Sequence, residues 1–210
     1  MRARLAATAA AILSAAVLLT SCDATPVAGG CNVSVSSSDL IAQRQQAGIV
    51  DCTPAHLAVD ADAPAADLPD TQIGCLGSKA KVALSDIKGP AIVNFWSSTC
   101  GPCREEMPAL AAFAHQYAGQ IRVVGVDWLE TYPGAALDLA KQSGVTYPLL
   151  SDPCGDLEQS SLHPPNGMPF FYFVKADGSV VGPHAGGLSS VRQVVDLVQQ
   201  ELGITLKATG

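Results

Sequence analysis

The run "PAIVNFWSSTCGPCREEMPALAAFAHQY", residues 90–117, changes character half-way along. Residues 90–97 form a nearly continuous apolar run, the pattern of a strand covered on both faces. From 102 to 117 the apolar positions Cys103, Met107, Leu110, Phe113, Ala114 and Tyr117 recur at three and four residues, which specifies an amphipathic helix. The joint between them is "STCGPC", so Cys100 and Cys103 sit at the first turn of a helix that follows a buried strand. Pro102 suits that turn, where an amide hydrogen would have no partner. Unpaired backbone N–H groups and the helix dipole favour an anion there, so Cys100 is expected to have a lowered pKa and to be the attacking thiol. Cys103, one turn inward on the apolar stripe, is expected to be the shielded resolving thiol. A permanent bridge between the two would constrain almost nothing, because the ring is so small. A zinc site from this pair lacks a second C-x-x-C or a histidine pair.

Outward from this segment, "IRVVGVDW" (121–128) reads as a second buried strand and 135–142 as a helix closed by Gly144. "PFFYFV" (169–174), the Asp177-Gly178 turn and "SVVG" (179–182) read as a hairpin. A last helix carries Leu188, Val191, Val194, Val195 and Val198 on one stripe. Alternating strands and helices followed by a hairpin and a helix specify an α/β fold with a central mixed sheet flanked by helices.

The start of the chain sets the compartment. Arg2 and Arg4 precede an apolar run too short for an ordinary membrane span, so residues 1–21 read as a secretory signal peptide. "LTSC" (19–22) resembles the bacterial lipoprotein signal, in which the cysteine, here Cys22, is acylated; the alternative is a plain signal peptide with a coincidental cysteine. The expected location is the outer face of the cell membrane, outside the cytoplasm, with the membrane as a partner through the lipid anchor. Loss of two arginines with the signal moves the formal charge from −7 to −9. That balance, without a Lys/Arg cluster, argues against nucleic acid as a partner.

Six cysteines remain beyond Cys22, an even number in an oxidising compartment, and fifteen pairings are open. Residues 22–67 read as an anchored extension and linker ahead of a domain spanning 68–210. Cys31 and Cys52 flank its helical candidate at 39–48, and a bridge between them would staple the tail as a small appendage, worth about 3 kcal/mol. Cys75 and Cys154 then form a second structural bridge, worth about 4 to 5 kcal/mol, with a redox relay to the active-site pair as the sharper alternative.

"VNFWSSTCGPCREEMPAL", "VVGVDW", "GVTYPLLSDP" and "NGMPFFYFVKADGSVVGPHAGGL" together resemble the membrane-anchored thioredoxin-like proteins of the TlpA, ResA and CcmG type over residues 68–204. The resemblance implies a thioredoxin fold with an N-terminal extension and an enzyme that exchanges thiols and disulfides outside the cytoplasm. It makes Pro169, after Met168, the cis-proline beside the active-site pair, where an extended substrate would bind. It makes Trp96 the aromatic residue that packs over the disulfide and, with Met168 and Pro169, a substrate-binding residue. It makes Glu106 the family's acidic residue, and Glu106 also lies three residues after Cys103 on the same helical face, placed to take that thiol's proton. The alternative for Glu106 is an ordinary exposed side chain. Asn94 stands where ordinary thioredoxins carry a buried aspartate, a departure this family shares.

The expected function is reduction of protein disulfides, with apocytochrome c as the family's suggested client and a transmembrane electron donor as the second partner. The Gly-Pro dipeptide between the cysteines favours the reductant. A disulfide donor for folding secreted proteins and a redox-inert binding module are the alternatives. No cofactor and no metal are expected, and His115, His163 and His184 are assigned no role.

Overall fold

The structure, a computed structural model, describes residues 31–162, 164–165 and 167–207; the signal peptide, Cys22 and His163 lie outside the described residues. In chain order the helices are α1 (Ser38–Gln46), α2 (Pro54–Leu57), α3 (Gly101–Gln116), α4 (Pro133–Gln142) and α5 (Val191–Leu202). The strands are β1 (Gln72–Cys75), β2 (Lys81–Ala83), β3 (Ala91–Trp96), β4 (Arg122–Trp128), β5 (Leu149–Asp152), β6 (Phe170–Val174) and β7 (Val180–Ala185). They form one mixed sheet in the order β2-β1-β5-β4-β3-β6-β7. β3, β4 and β5 are parallel, and the remaining pairings are antiparallel.

All six residues of β3 are buried because both faces of the sheet are covered. Alternation then sorts the strands' side chains into two cores. Ile92, Trp96, Val123, Phe171 and Phe173 face a layer built by α1, α3, α4 and α5. Val93, Phe95, Val124, Val126, Phe170 and Tyr172 face the other way, against Leu57, Leu84, Ile87 and Leu157. Within the second core Phe95 stacks on Phe170 at 4.5 Å between ring centroids, with Trp128 edge-on to both.

The extension departs from the expected stapled appendage. Leu40 and Ile49 enter the helical-side core, and Cys52, Leu57 and Ala66 enter the other. Arg44, buried on α1, donates to the carbonyls of Gly77 and Ile49 at 2.9 Å each, satisfying a charge that burial would otherwise penalise. Val50 N–H donates to Thr146 O, and Asp67 N–H to Gly178 O.

Both expected pairings of the scaffold cysteines are corrected: Cys31 is bonded to Cys154, and Cys52 to Cys75. The register between β1 and β5 explains why. Cys75 lies opposite Leu150, four residues before Cys154, which is about 13 Å along an extended strand. A bridge requires Cα atoms within about 7 Å. Residues 31–36 run along this seam, with Gly77 N–H donating to Val35 O, and so deliver Cys31 to the turn after β5. After α1 the chain returns beside Leu149 and lays Cys52 over Cys75. Each bridge therefore ties the extension to the sheet rather than to itself.

Candidate active site

β3 ends at Trp96, and residues 97–99 carry the chain to Cys100, the N-cap residue of α3. Cys100 and Cys103 are joined in a disulfide, with their Cα atoms 5.3 Å apart. Cys103 N–H donates to Cys100 Sγ at 3.2 Å, so the helix start directs a backbone donor at the outer sulfur. Cys100 is half-buried and Cys103 fully buried. The two sulfurs thus differ in access in the sense that an attacking and a resolving thiol require.

Glu106 is fully buried, while Glu105 beside it is exposed. Its Oε1 accepts from Asn94 Nδ2 at 2.8 Å, and its Oε2 from Leu188 N–H at 3.4 Å. Burial pushes the carboxyl up to about 8, against the smaller opposing effect of those two hydrogen bonds. Asn94 shares the sheet face of Trp96 by alternation, and a neutral amide there donates without adding a second acid. A crevice of about 60 Å3 lined by Pro102, Glu106 and Leu188 lies beside this carboxyl, large enough for water to carry a proton in or out. Tyr147, buried beneath, is raised by burial and then by Glu106.

The Met168-Pro169 bond is cis. Two more cis bonds, Gly89-Pro90 and Gly182-Pro183, were not legible in the sequence. Met168 is half-buried against both cores, and Pro169 is buried with its carbonyl accepting from Gly186 N–H at 3.3 Å. Trp96 requires a correction. It has no exposed surface and sits in the core beside Cys103 and Met107, so it supports the pair from beneath and offers no contact to a substrate. His115 is exposed at the end of α3, and His184 on β7 stands 3.8 Å from Glu201.

Two further acids near the pair escaped the sequence reading. Glu130, 2% exposed, accepts from Ser98 N–H at 3.1 Å and from the Ser98 hydroxyl; its other oxygen accepts from Tyr132 N–H at 2.9 Å. Asp127, fully buried, lies opposite Trp96 in the sheet and accepts from Ser151 Oγ at 3.2 Å. Burial, and then the charge of Glu130, push the Asp127 carboxyl well up. The signal for both was "VDWLE", acids at the end of an otherwise apolar buried strand.

A thiol pair split between surface and core at a helix start, with a protonatable carboxyl one turn on, is equipped for disulfide exchange. Residues 59–181 match the AhpC/TSA family. The chain belongs to the AhpC/TSA family. Among relatives of this AhpC/TSA member, the thioredoxin-like protein YneN of Bacillus subtilis is 29% identical over 134 residues, covering 61% of this chain and 76% of the relative. The thiol-disulfide oxidoreductase ResA of Bacillus subtilis is 27% identical over 142 residues, covering 66% and 74%. A secreted disulfide oxidoreductase of Mycobacterium tuberculosis has the same fold, with a TM-score of 0.53 at 21% identity over 62% of this chain and 96% of that one. The fold is thioredoxin-like, and the activity class of this family member is thiol-disulfide oxidoreductase.

Proposed function

We propose that the protein works outside the cytoplasm as a reductant of protein disulfides, with Cys100 attacking and Cys103 resolving. The observation that carries the direction is the burial of Cys103 with Glu106 on one helical face, where the groups acting on the carboxyl are Asn94 and Leu188, neither of them a cation. Burial disfavours the Cys103 thiolate, the ionised fraction of Glu106 adds to this, and a destabilised thiolate makes the dithiol the better electron donor. The Cys100 thiolate attacks one sulfur of the client disulfide, and the client's other sulfur leaves as a thiolate and takes a proton. Cys103 then gives its proton to Glu106 and attacks Cys100, which re-forms the Cys100–Cys103 bond and releases the second client thiol. Two electrons pass from the protein dithiol to the client. With its value near 8, Glu106 is about one-tenth ionised at pH 7, enough to accept this proton and to return it during re-reduction. The backbone around Met168 and Pro169 would hold the client in extended form.

The anchor in this reading is an acylated Cys22, which keeps the protein within reach of a transmembrane dithiol donor. The client is the haem-attachment cysteine pair of apocytochrome c, on the family resemblance alone. A disulfide donor is the second reading, favoured by the Cys103 N–H aimed at Cys100 Sγ, since that contact stabilises a thiolate. Equilibration of the Cys100/Cys103 couple with glutathione buffers separates them. The expected potential is near that of thioredoxin, about −270 mV, and a value above about −180 mV overturns the reductant.

A further inference from the structure

Among the described residues, the large apolar side chains that stand exposed are Leu129, at 44%, and Tyr132, at 69%. Both lie on the short loop between β4 and α4, and that loop sits next to the active-site pair. β3 and β4 run parallel with Trp96 opposite Asp127, so the chain leaves both at the same, C-terminal end of the strands. Glu130 joins the two segments, accepting from Ser98 with one oxygen and from Tyr132 N–H with the other. Leu129 and Tyr132 are therefore held at a fixed offset from Ser98, two residues before Cys100.

The exposure of Leu129 is imposed by the backbone. It is the non-glycine residue with positive φ, 55°, among the described residues, a conformation that a leucine adopts only when its surroundings fix it. Its N–H donates to Asp152 O at 2.9 Å, and its side chain leans on Gly155, where a Cβ would come within 2.8 Å of Leu129 Cδ2. Gly155 follows Cys154, the anchor of the extension. Beside the loop a mainly polar cavity of about 250 Å3 opens between the first turn of α3 and α4, lined by Ser98, Arg104, Asp138 and Gln142 with Ala135 and Leu139. Its volume is below the roughly 300–1,000 Å3 of small-molecule pockets and suits a single side chain. Asp138 also accepts from Gln43 Nε2 of α1 at 2.7 Å.

We propose that the 129–132 loop and this cavity dock the client polypeptide, Leu129 and Tyr132 taking an apolar or aromatic side chain that lies near its reactive cysteine in sequence and the cavity a neighbouring polar group. The occupant is an extended polypeptide rather than a lipid surface, because the side chains of Arg104, Asp138 and Gln142 suit backbone amides and carbonyls and would be desolvated without partners against a bilayer. The inference rests on the reading that Cys100 exchanges with a protein disulfide, and it adds to that reading how a client is chosen.

The test uses the reduced mature protein and two synthetic peptide disulfides, one with phenylalanine and leucine flanking the cysteine and one with serine at those positions. The parent is expected to reduce the apolar-flanked peptide at least five-fold faster, as kcat/KM, with the difference in KM. Tyr132→Ser and the pair Leu129→Asn with Tyr132→Ser are expected to bring that ratio close to one, while Tyr132→Phe keeps it. Asparagine is chosen because it tolerates positive φ, and Tyr132 is exposed enough that its replacement leaves the fold intact. An unchanged ratio in the variants, or no preference in the parent, overturns the docking surface. Concentration-dependent self-association of the parent that the variants abolish also overturns it, by assigning the surface to a second copy. A parent that reduces neither peptide nor glutathione disulfide sinks the underlying reading of Cys100 instead.

Discussion

Glu106 is the residue whose surroundings bear most directly on proton movement. Its carboxyl is buried, held by an amide and a backbone N–H, and pushed from its ordinary 4.5 up to about 8. A carboxyl raised on folding stabilises the folded state fully below its unfolded value and loses that contribution as pH rises through the folded one. The parent is therefore expected to lose stability between about pH 4.5 and pH 8, while Glu106→Gln is spared this part of the loss. The difference at pH 8 should reach on the order of 3 to 5 kcal/mol, less whatever the glutamine loses by facing Leu188 N–H with its own amide. Asp127 is raised for the same physical reason and has the same sign, but it is present in both proteins and cancels in the comparison. Urea unfolding of parent and variant at pH 4.5, 6 and 8 measures the effect; a constant difference across that range would show that Glu106 is not the group that titrates.

Elements differ in how openly the sequence displays them. β3 and β4 are buried on both faces and read as apolar runs, and α5 keeps its stripe at Val194, Leu197 and Val198 because only one face meets the core. β1, β2 and β5 are three or four residues long, too short to show a period in the sequence. The disulfide pairing is hidden for the same reason, since the β1–β5 register decides which sulfurs can meet. Of the site, the thiol pair and Glu106 were legible from spacing, and Met168 and Pro169 from resemblance. Glu130, Leu129 and Tyr132 were not, because the sequence does not tell which side chain of a loop is held out. Gly125 on β4 shows how closely the elements meet at the site. A Cβ there would lie 2.6 Å from Leu149 Cδ2 and 2.9 Å from Trp96 Nε1, so the indole fits only over a bare backbone. Gly125→Ala is expected to cost about 1 to 3 kcal/mol by overpacking and to disturb the near-ultraviolet signal of the buried tryptophan. A variant as stable as the parent would mean that Trp96 and Leu149 yield more readily than their burial suggests.

At the scale of the whole molecule the three disulfides among the described residues differ in access. Cys100 is half-buried at a helix start, Cys31 and Cys154 are both exposed, and Cys52 and Cys75 are 3% and 0% exposed. Exchange requires a thiolate to reach a sulfur, so a mild reductant should open Cys31–Cys154 and Cys100–Cys103 in the folded protein and Cys52–Cys75 only on unfolding. Loop length sets a different order for stability. Cys31–Cys154 spans 123 residues and on the loop-entropy model contributes about 5 kcal/mol, whereas Cys52–Cys75 spans 23 and contributes about 3.5 kcal/mol. The bridge that stabilises more is thus the one more easily reduced, and it also fixes the turn on which Leu129 leans. Replacing Cys31 and Cys154 by serine should lower the unfolding free energy by up to about 5 kcal/mol while the sheet and the Cys100–Cys103 couple persist. Cys52→Ser with Cys75→Ser places two hydroxyls where Leu149 O and Asp51 Oδ1 stand 3.4 Å from the present sulfurs and can accept from them, so its cost should stay near the loop-entropy figure of about 3.5 kcal/mol. Timed alkylation with mass analysis reads the order of opening, and denaturant unfolding of the two double variants reads the energies. Early labelling of Cys52 or Cys75 under native conditions would show that the extension detaches from the sheet, contrary to the packing of Leu57 and Ala66 in its core.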